Sequence, residues 1–278
     1  MSFSDELAQA SGQDQAFSKR TPRIVAAAKL HRAAARRKAG RFLVEGFNSV
    51  DAAIRSDAAV EIYATPRAAE EFESLLAPAV DGGFSVSLID DSAASSLAET
   101  VTTTGLFAVC EASRVQHELD TVLSAGKRTG VVAVLFDCQD PGNLGTVIRM
   151  VDALGLGGVI LAGDSVDPLS GKASRSSAGS VFHVPFVRER DAGAVVTSLR
   201  EAGFTTLATT MDGQVVLGRD SLPEGPTAWL FGNEAHGLQP EVLDAANHSV
   251  SIPIRGEAES LNLATAASMC LWESARGA

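Results

Sequence analysis

Apolar positions along the chain recur with two periods, one of about two residues and one of about 3.6, and the two alternate through most of the sequence. Residues 1–17 carry neither period and predict a disordered tail. Thr21-Pro22 reads as an N-cap followed by proline at the first helical position, which predicts a helix through the alanine-rich segment to Lys38, with Gly40 as its stop. Then RFLVEG predicts a strand, NSVDAAIRS a helix, AVEIYAT a strand, PRAAEEFESLLAPA a helix, FSVSLID a strand, DDSAASSLAE a helix and GLFAVCE a strand. This alternation places an α/β domain over residues 18–111. Residues 112–128 are polar and mixed, with a weak helical pattern, and read as a linker. A second α/β domain, over 129–278, opens with GVVAVLFD, apolar enough for a strand buried on both faces of a parallel sheet. A helix carrying Arg149 follows, then the strand GGVILAG, the helices KASRSSAGS and AGAVVTSLREAG, and the strands FTTLATT and TAWLFG. The helix LQPEVLDAAN, the strand SVSIPI and a final helix LNLATAASMCLWESAR complete it. Sheets of this kind hold ligands beyond the C-terminal ends of their strands.

Composition narrows the class. Of 278 residues, 45% are hydrophobic and 21% charged, as in a soluble globular protein. No apolar run reaches transmembrane length and the N-terminus lacks a signal core, which predicts a cytoplasmic protein without a membrane partner. Cys110, Cys138 and Cys270 are odd in number and far apart, so neither a disulfide framework nor a metal site is expected. His117, His183, His236 and His248 pair with no cysteine or histidine at a metal spacing. The net charge of −11 discourages nucleic-acid binding, but its distribution does not. Between Phe17 and Val44 stand nine of the 23 basic residues (Lys19, Arg20, Arg23, Lys29, Arg32, Arg36, Arg37, Lys38, Arg41) and no acidic one. Phosphate contacts depend on such local patches. A solvated helical face is the plainer alternative.

Familiar cofactor and nucleophile motifs are missing. Gly155-Leu156-Gly157-Gly158 precedes a strand, whereas a dinucleotide fingerprint follows one. There is no GxxxxGK[ST] loop and no GxSxG turn. What remains are three loops, each at the end of a predicted strand: DCQDPGNLGTVIRM (137–150), LFGNEAHGL (230–238) and SIPIRGEAESLNLATAAS (251–268). Each offers glycine or proline for close backbone approach and one or two polar side chains. Arg149 is the one charged residue between Pro141 and Val151.

Together the three loops resemble those of the SpoU/TrmH family of RNA ribose 2′-O-methyltransferases, in the SPOUT superfamily. The first carries the family's asparagine, glycine and arginine as Asn143, Gly145 and Arg149. The second matches a G-x-E strand end with a second glycine, as Gly232, Asn233, Glu234 and Gly237. The third matches an I-P strand end and an S-L-N helix start, as Ile252, Pro253, Ser260, Leu261 and Asn262. RSSAGSVFHVPF is similar to the family's R-x-S-x-G segment, and RFLVEGFNSV resembles its N-terminal substrate-binding domain, so the likeness covers Ser18 to Glu273. Arg255, Glu257 and Glu259 depart from the pattern by adding charge to the third loop.

The resemblance implies a fold: a C-terminal SPOUT-type α/β domain with a trefoil knot, plus a smaller N-terminal α/β domain that binds the RNA substrate. It implies S-adenosylmethionine as methyl donor, held around Gly232, Ile252 and Leu261. Thr209, at the end of the FTTLATT strand, is a further candidate for that pocket, with a plain strand residue as the alternative, and no metal is expected. Arg149, Asn143, Glu234 and Asn262 are then the catalytic set. In the family proposal the arginine is a general base. An ordinary arginine stays protonated, so binding phosphate and stabilising alkoxide charge is the other role, and the sequence leaves both open. Glu234 is expected to orient an arginine or the substrate, and Asn143 and Asn262 to hydrogen-bond across the site; helix caps are the alternative for Asn262 and Ser260. Arg32, Arg36, Arg37, Lys38, Arg41 and Arg175 are the expected RNA contacts, with donation to a partner subunit's site as the alternative for Arg175. Family members are homodimers, and Met269, Leu271 and Trp272 give the last helix an apolar face suited to an interface or to burial in its own domain. The expected substrate is RNA, with rRNA favoured over tRNA. The alternatives are a tRNA enzyme, a resistance methyltransferase acting on rRNA, and a non-catalytic RNA-binding or ribosome-assembly factor.

Overall fold

Strand pairing divides the chain between two sheets. A computed structural model describes residues 2–276 apart from Ser11 and Asp14. Its elements in chain order are α1 (Phe3–Ala10), α2 (Pro22–Ala28), α3 (Ala33–Ala39), β1 (Arg41–Glu45), α4 (Phe47–Arg55), β2 (Ala59–Ala64), α5 (Pro66–Glu71), α6 (Glu73–Asp81), β3 (Val86–Leu88), α7 (Asp91–Leu97) and β4 (Leu106–Glu111). There follow α8 (Leu119–Thr129), β5 (Val131–Phe136), α9 (Pro141–Ala153), β6 (Val159–Ala162), α10 (Gly171–Ser177), β7 (Phe186–Glu189), α11 (Ala192–Glu201), β8 (Thr205–Thr209), β9 (Val215–Val216), β10 (Thr227–Phe231), α12 (Pro240–Ala245), β11 (His248–Ser251) and α13 (Leu263–Ala275). One compact unit comprises Met1–Val115 with Leu169–His183, the other Gln116–Pro168 with Val184–Ala278.

The first unit is built on a four-stranded sheet in the order β1-β4-β2-β3, with β2 and β3 parallel and the other pairs antiparallel. Its core gathers Ile24, Leu30, Leu43, Tyr63, Ile89, Leu97 and Phe107. Segment 169–183 belongs to this unit: α10 packs on β1, and Phe182 stacks on Phe42 with ring centroids 5.7 Å apart.

Three expectations are corrected here. The run expected to be a disordered tail holds α1, which packs on β3 and α5 and buries Leu7. Phe17 then pairs with Ile89, and the Gln13 side chain bonds the main chain of Leu88. Phe3 and Leu7 lie one turn apart on one face, and Asp5 and Glu6 suit the first turn, a pattern too short to stand out from the polar residues around it. The helix expected through Lys38 is interrupted: α2 gives way to a 3₁₀ turn at Lys29–His31, and Arg32 is extended before α3 begins. The carbonyls of Leu30 and His31, which a continuous helix would have bonded to amides four residues on, accept instead from Nη1 of Arg36 at 2.8 and 2.9 Å. The helix expected at 66–79 likewise breaks at Phe72, between α5 and α6.

The second unit holds a seven-stranded sheet, β7-β6-β5-β10-β8-β11-β9, parallel throughout. Every residue of β5 is buried, as its unbroken apolar run predicts. Val132, Val134 and Phe136 face a core shared with α8, α11 and α12. The alternate residues fall on the other face, where α9 and α13 pack together against β5. Residues 119–128 of the expected linker form, with Thr129, the helix α8, which buries Val122, Leu123, Ala125 and Gly126; the apolar spacing is helical, but polar neighbours dilute it. The short strands β7 and β9 were not anticipated, since each offers at most two buried apolar positions. Because the strands run in one direction, the three loops of interest all leave the same edge of this sheet.

Candidate active site

The first loop is set by Asp140, which caps α9 by accepting from the amides of Gly142 at 2.6 Å and Asn143 at 3.0 Å. Pro141 occupies the first helical position, where its missing N–H costs nothing. This fixes Asn143 on the first turn of α9. Its Nδ2 donates to Glu234 Oε1 at 3.1 Å, and its Oδ1 accepts from Asn262 Nδ2 at 2.9 Å. Asn262 also caps α13, its Oδ1 accepting from Ala264 and Thr265 at 2.9 and 3.3 Å. Asn262 thus serves as the helix cap and bonds Asn143 at the same time. Ser260 is not the cap; it lies on the exposed loop before it. Three side chains from three loops thus form one continuous line, Asn262 to Asn143 to Glu234.

Glu234 is the acceptor that ends this line. Burial raises its pKa, but the Asn143 amide and the backbone N–H groups of Glu234, Gln139 and Asp140 outweigh that and hold the carboxyl below its usual range. The amides of Gln139 and Asp140 each lie 3.3 Å from the carboxylate. Cys138 Sγ, buried, approaches Oε1 at 3.7 Å; burial and the neighbouring carboxylate push its pKa up to about 12, so it is a thiol. No arginine is among the partners of Glu234 in the described residues, so the expected arginine-orienting role is not what the geometry displays. Sequence reasoning missed the converging amides of 139 and 140. The signal for them was the strand–Asp–Pro–Gly turn, which leaves the amides before an N-cap without helical partners.

Arg149 does not join the line. It stands six residues past Asn143, about 9 Å further along the helix axis, exposed, and its side chain makes no hydrogen bond or ion pair to any described residue. Its guanidinium is available to a ligand from outside the chain.

Beside the line, at the C-terminal ends of β8, β10 and β11, lies a cavity of about 890 Å³. Thr209, Gly232, Ile252 and Leu261 all line it, as does Glu234; Asn143, Arg149 and Asn262 do not. The Thr209 hydroxyl donates to the Leu230 carbonyl at 3.0 Å, so its side chain ties two strands at the cavity. Gly232 is required by packing: a Cβ there would fall on the Gly237–Leu238 peptide. The main chain from Pro253 to Leu261 makes no main-chain hydrogen bond among the described residues, and most of it lines the cavity. Open amides and carbonyls, apolar walls such as Leu238, Ile252 and Leu261, and a volume within the usual range of small-ligand sites fit a nucleoside bearing polar edges. Among the described residues no group of three or more potential ligands is placed to hold a metal.

The expected RNA contacts separate into two groups. Arg32, Arg37 and Lys38 are exposed. Arg36 is 7% exposed, with its guanidinium on two carbonyls, and is corrected from an RNA contact to a structural residue. Arg41 pairs with Glu111 at 3.1 Å and Arg175 with Glu99 at 2.8 Å. On α13, Leu271 is buried whereas Met269 and Trp272 are 44% and 58% exposed. No helix is long and apolar enough to cross a membrane among the described residues.

Comparison with known proteins bears on this arrangement. Residues 130–272 match the model of the SpoU rRNA Methylase family, and residues 21–108 that of the MRM3-like substrate binding domain. The 23S rRNA (guanosine(2553)-2'-O)-methyltransferase RlmP of Bacillus subtilis is 31% identical over 245 residues, spanning 88% of this chain and 92% of its own. The AdoMet-bound rRNA methyltransferase from Sinorhizobium meliloti superposes with a TM-score of 0.80 at 27% identity, covering 95% of this chain and 98% of that one. The SpoU methyltransferase AviRb from Streptomyces viridochromogenes, in complex with AdoMet, gives 0.79 at 29%, covering 92% and 98%.

Proposed function

The chain belongs to the SpoU rRNA Methylase family, and from that premise we propose that it methylates a ribose 2′-hydroxyl of ribosomal RNA, using S-adenosylmethionine. The observation that carries the reading is the line from Asn262 through Asn143 to Glu234 along the edge of a cavity that suits a nucleoside. The main chain around Thr209, Gly232, Ile252 and Leu261 holds the cofactor. When bound, S-adenosylmethionine supplies an electrophilic methyl group on a sulfonium.

The remaining chemistry belongs to the chain. Glu234, ionised and held by two main-chain amides, fixes the Asn143 amide; Asn143 in turn fixes Asn262. These three orient the ribose. The Arg149 guanidinium stabilises negative charge developing on the 2′-oxygen, while the proton leaves to phosphate or water. The first unit engages RNA through Arg32, Arg37 and Lys38. Arg41 and Arg175 join by exchanging their carboxylate partners for phosphate. The chain works in the cytoplasm as a homodimer, with Met269 and Trp272 of α13 in the interface, and its C-terminal domain is knotted.

The test is incubation of the protein with labelled S-adenosylmethionine and either rRNA or tRNA, alongside calorimetric titration of the cofactor. Label on rRNA with measurable cofactor binding is the expected result. Label on tRNA alone, or cofactor binding with no transfer to any RNA, overturns it.

A further inference from the structure

One residue at the edge of the site is held more tightly than its exposed surroundings explain. Asp137, the first residue after β5, has φ +49, a left-handed conformation that Asp and Asn tolerate better than other side chains. Its Oδ1 accepts from the Asp164 amide at 2.7 Å. Gly163 leaves the space for this, because a Cβ there would fall on the Asp137 carboxylate. The Asp137 carbonyl accepts from Asn233 Nδ2 at 2.7 Å.

Asn233 is fully used by this arrangement. Its Oδ1 accepts from the amides of Ala235 and His236 at 2.9 and 3.2 Å, and its main chain pairs with Gly237 in both directions. The next residue is Glu234, which accepts from the amides of Gln139 and Asp140. Residues 233 and 234 therefore grip residues 137–140 with opposite polarity, a donor onto the carbonyl of 137 and an acceptor under the amides of 139 and 140. The left-handed turn at Asp137 is what presents all three groups to one loop.

We propose that Asp137 is a positioning residue for methyl transfer: through its left-handed turn and its bond to Asn233 it sets the Glu234 carboxylate, and with it Asn143 and Asn262. Asp137 lies outside the lining of the cavity, so the role assigned to it is indirect. The proposal rests on the reading of this site as the methyl-transfer centre.

The experiment compares Asp137→Asn, Asp137→Gly and Asp137→Ala for kcat, cofactor Kd and the pH profile of transfer. Asparagine keeps both the left-handed preference and the acceptor for Asp164, and its kcat stays within about threefold of wild type. Glycine keeps the turn but loses the tether, and its kcat is intermediate. Alanine loses both, and its kcat falls on the order of 10- to 100-fold with cofactor Kd nearly unchanged. In the alanine variant Glu234 also loses amide donors, so the acid limb of its pH profile moves to higher pH, a shift that mere loss of folded protein would not produce. The side chains that meet Glu234 are the Cys138 thiol and the Asn143 amide, and these are unaltered in all three variants. Should the alanine variant fail to fold, the asparagine–glycine pair decides. Wild-type kcat in the glycine and alanine variants, or an asparagine variant as poor as alanine, overturns the proposal. Absence of transfer by the wild-type protein would instead remove the underlying reading.

Discussion

Asn262 Nδ2 lies 2.9 Å from Asn143 Oδ1, while the Oδ1 of the same Asn262 caps α13. The direction of this bond is forced from the far end. Glu234 only accepts, so Asn143 must turn its Nδ2 toward the carboxylate and present its Oδ1 to Asn262. Asn262→Asp keeps the cap and removes the donor. A carboxylate oxygen then faces the Asn143 Oδ1, so stability is expected to fall by about 0.5–1.5 kcal/mol, with transfer down on the order of 10- to 100-fold. Asn262→Ala loses the cap as well, at about 0.5–2 kcal/mol. Thermal melts and transfer rates on both variants check this.

Glu234 makes stability depend on pH. Its pKa is depressed in the folded chain from a usual 4.5. The stabilisation it contributes is therefore fully present above about pH 4.5 and is lost as pH falls through the lower native value. Melting temperature against pH should show wild type ahead of Glu234→Gln above that point, with the gap closing below it. A gap that widens on acidification would reverse the sign.

Arg36 and its neighbours should respond differently. Arg36→Ala leaves two carbonyls in the turn before α3 without their donor, and costs about 2–3 kcal/mol of stability. Arg37→Ala and Lys38→Ala, both at exposed positions, leave the melt unchanged, weaken RNA binding and lower its salt slope by about one each. Melting curves and binding titrations at several salt concentrations separate the two behaviours.

Gly232→Ala places a Cβ on the Gly237–Leu238 peptide. Relieving that contact displaces the loop that lines the cavity and carries Glu234, so cofactor affinity and transfer fall together, with a stability loss of about 1–3 kcal/mol. Calorimetry with the cofactor alone reads the first effect without RNA.

Much of this was legible in the sequence, and the failures have physical causes. The buried strand β5, the Asp-Pro start of α9 and the clustering of Asn143, Glu234 and Asn262 followed from apolar runs, turn chemistry and a family resemblance. Helix α8 was hidden because Glu118, Asp120, Lys127 and Arg128 surround its few apolar positions. Arg36 looked like its neighbours because charge alone does not reveal that a side chain turns back onto the main chain. The support under Glu234 comes from amides of Gln139 and Asp140; the Asp-Pro-Gly turn marked a bend there, but no side chain marked which acceptor the amides would meet. Arg149 stood out as a lone charge, and the structure leaves it exposed and unpaired among the described residues.

The most direct test of the account is the position of the methyl group and its dependence on Arg149. The protein is incubated with rRNA and methyl-labelled S-adenosylmethionine, and the RNA is hydrolysed in alkali, which cannot cleave after a nucleotide whose 2′-oxygen is methylated. Label in an alkali-resistant dinucleotide is expected from wild type. No label is expected from Arg149→Ala, with the cofactor Kd of the two proteins nearly equal. Label released as mononucleotides, or an Arg149→Ala protein that still transfers at the wild-type rate, would contradict the account.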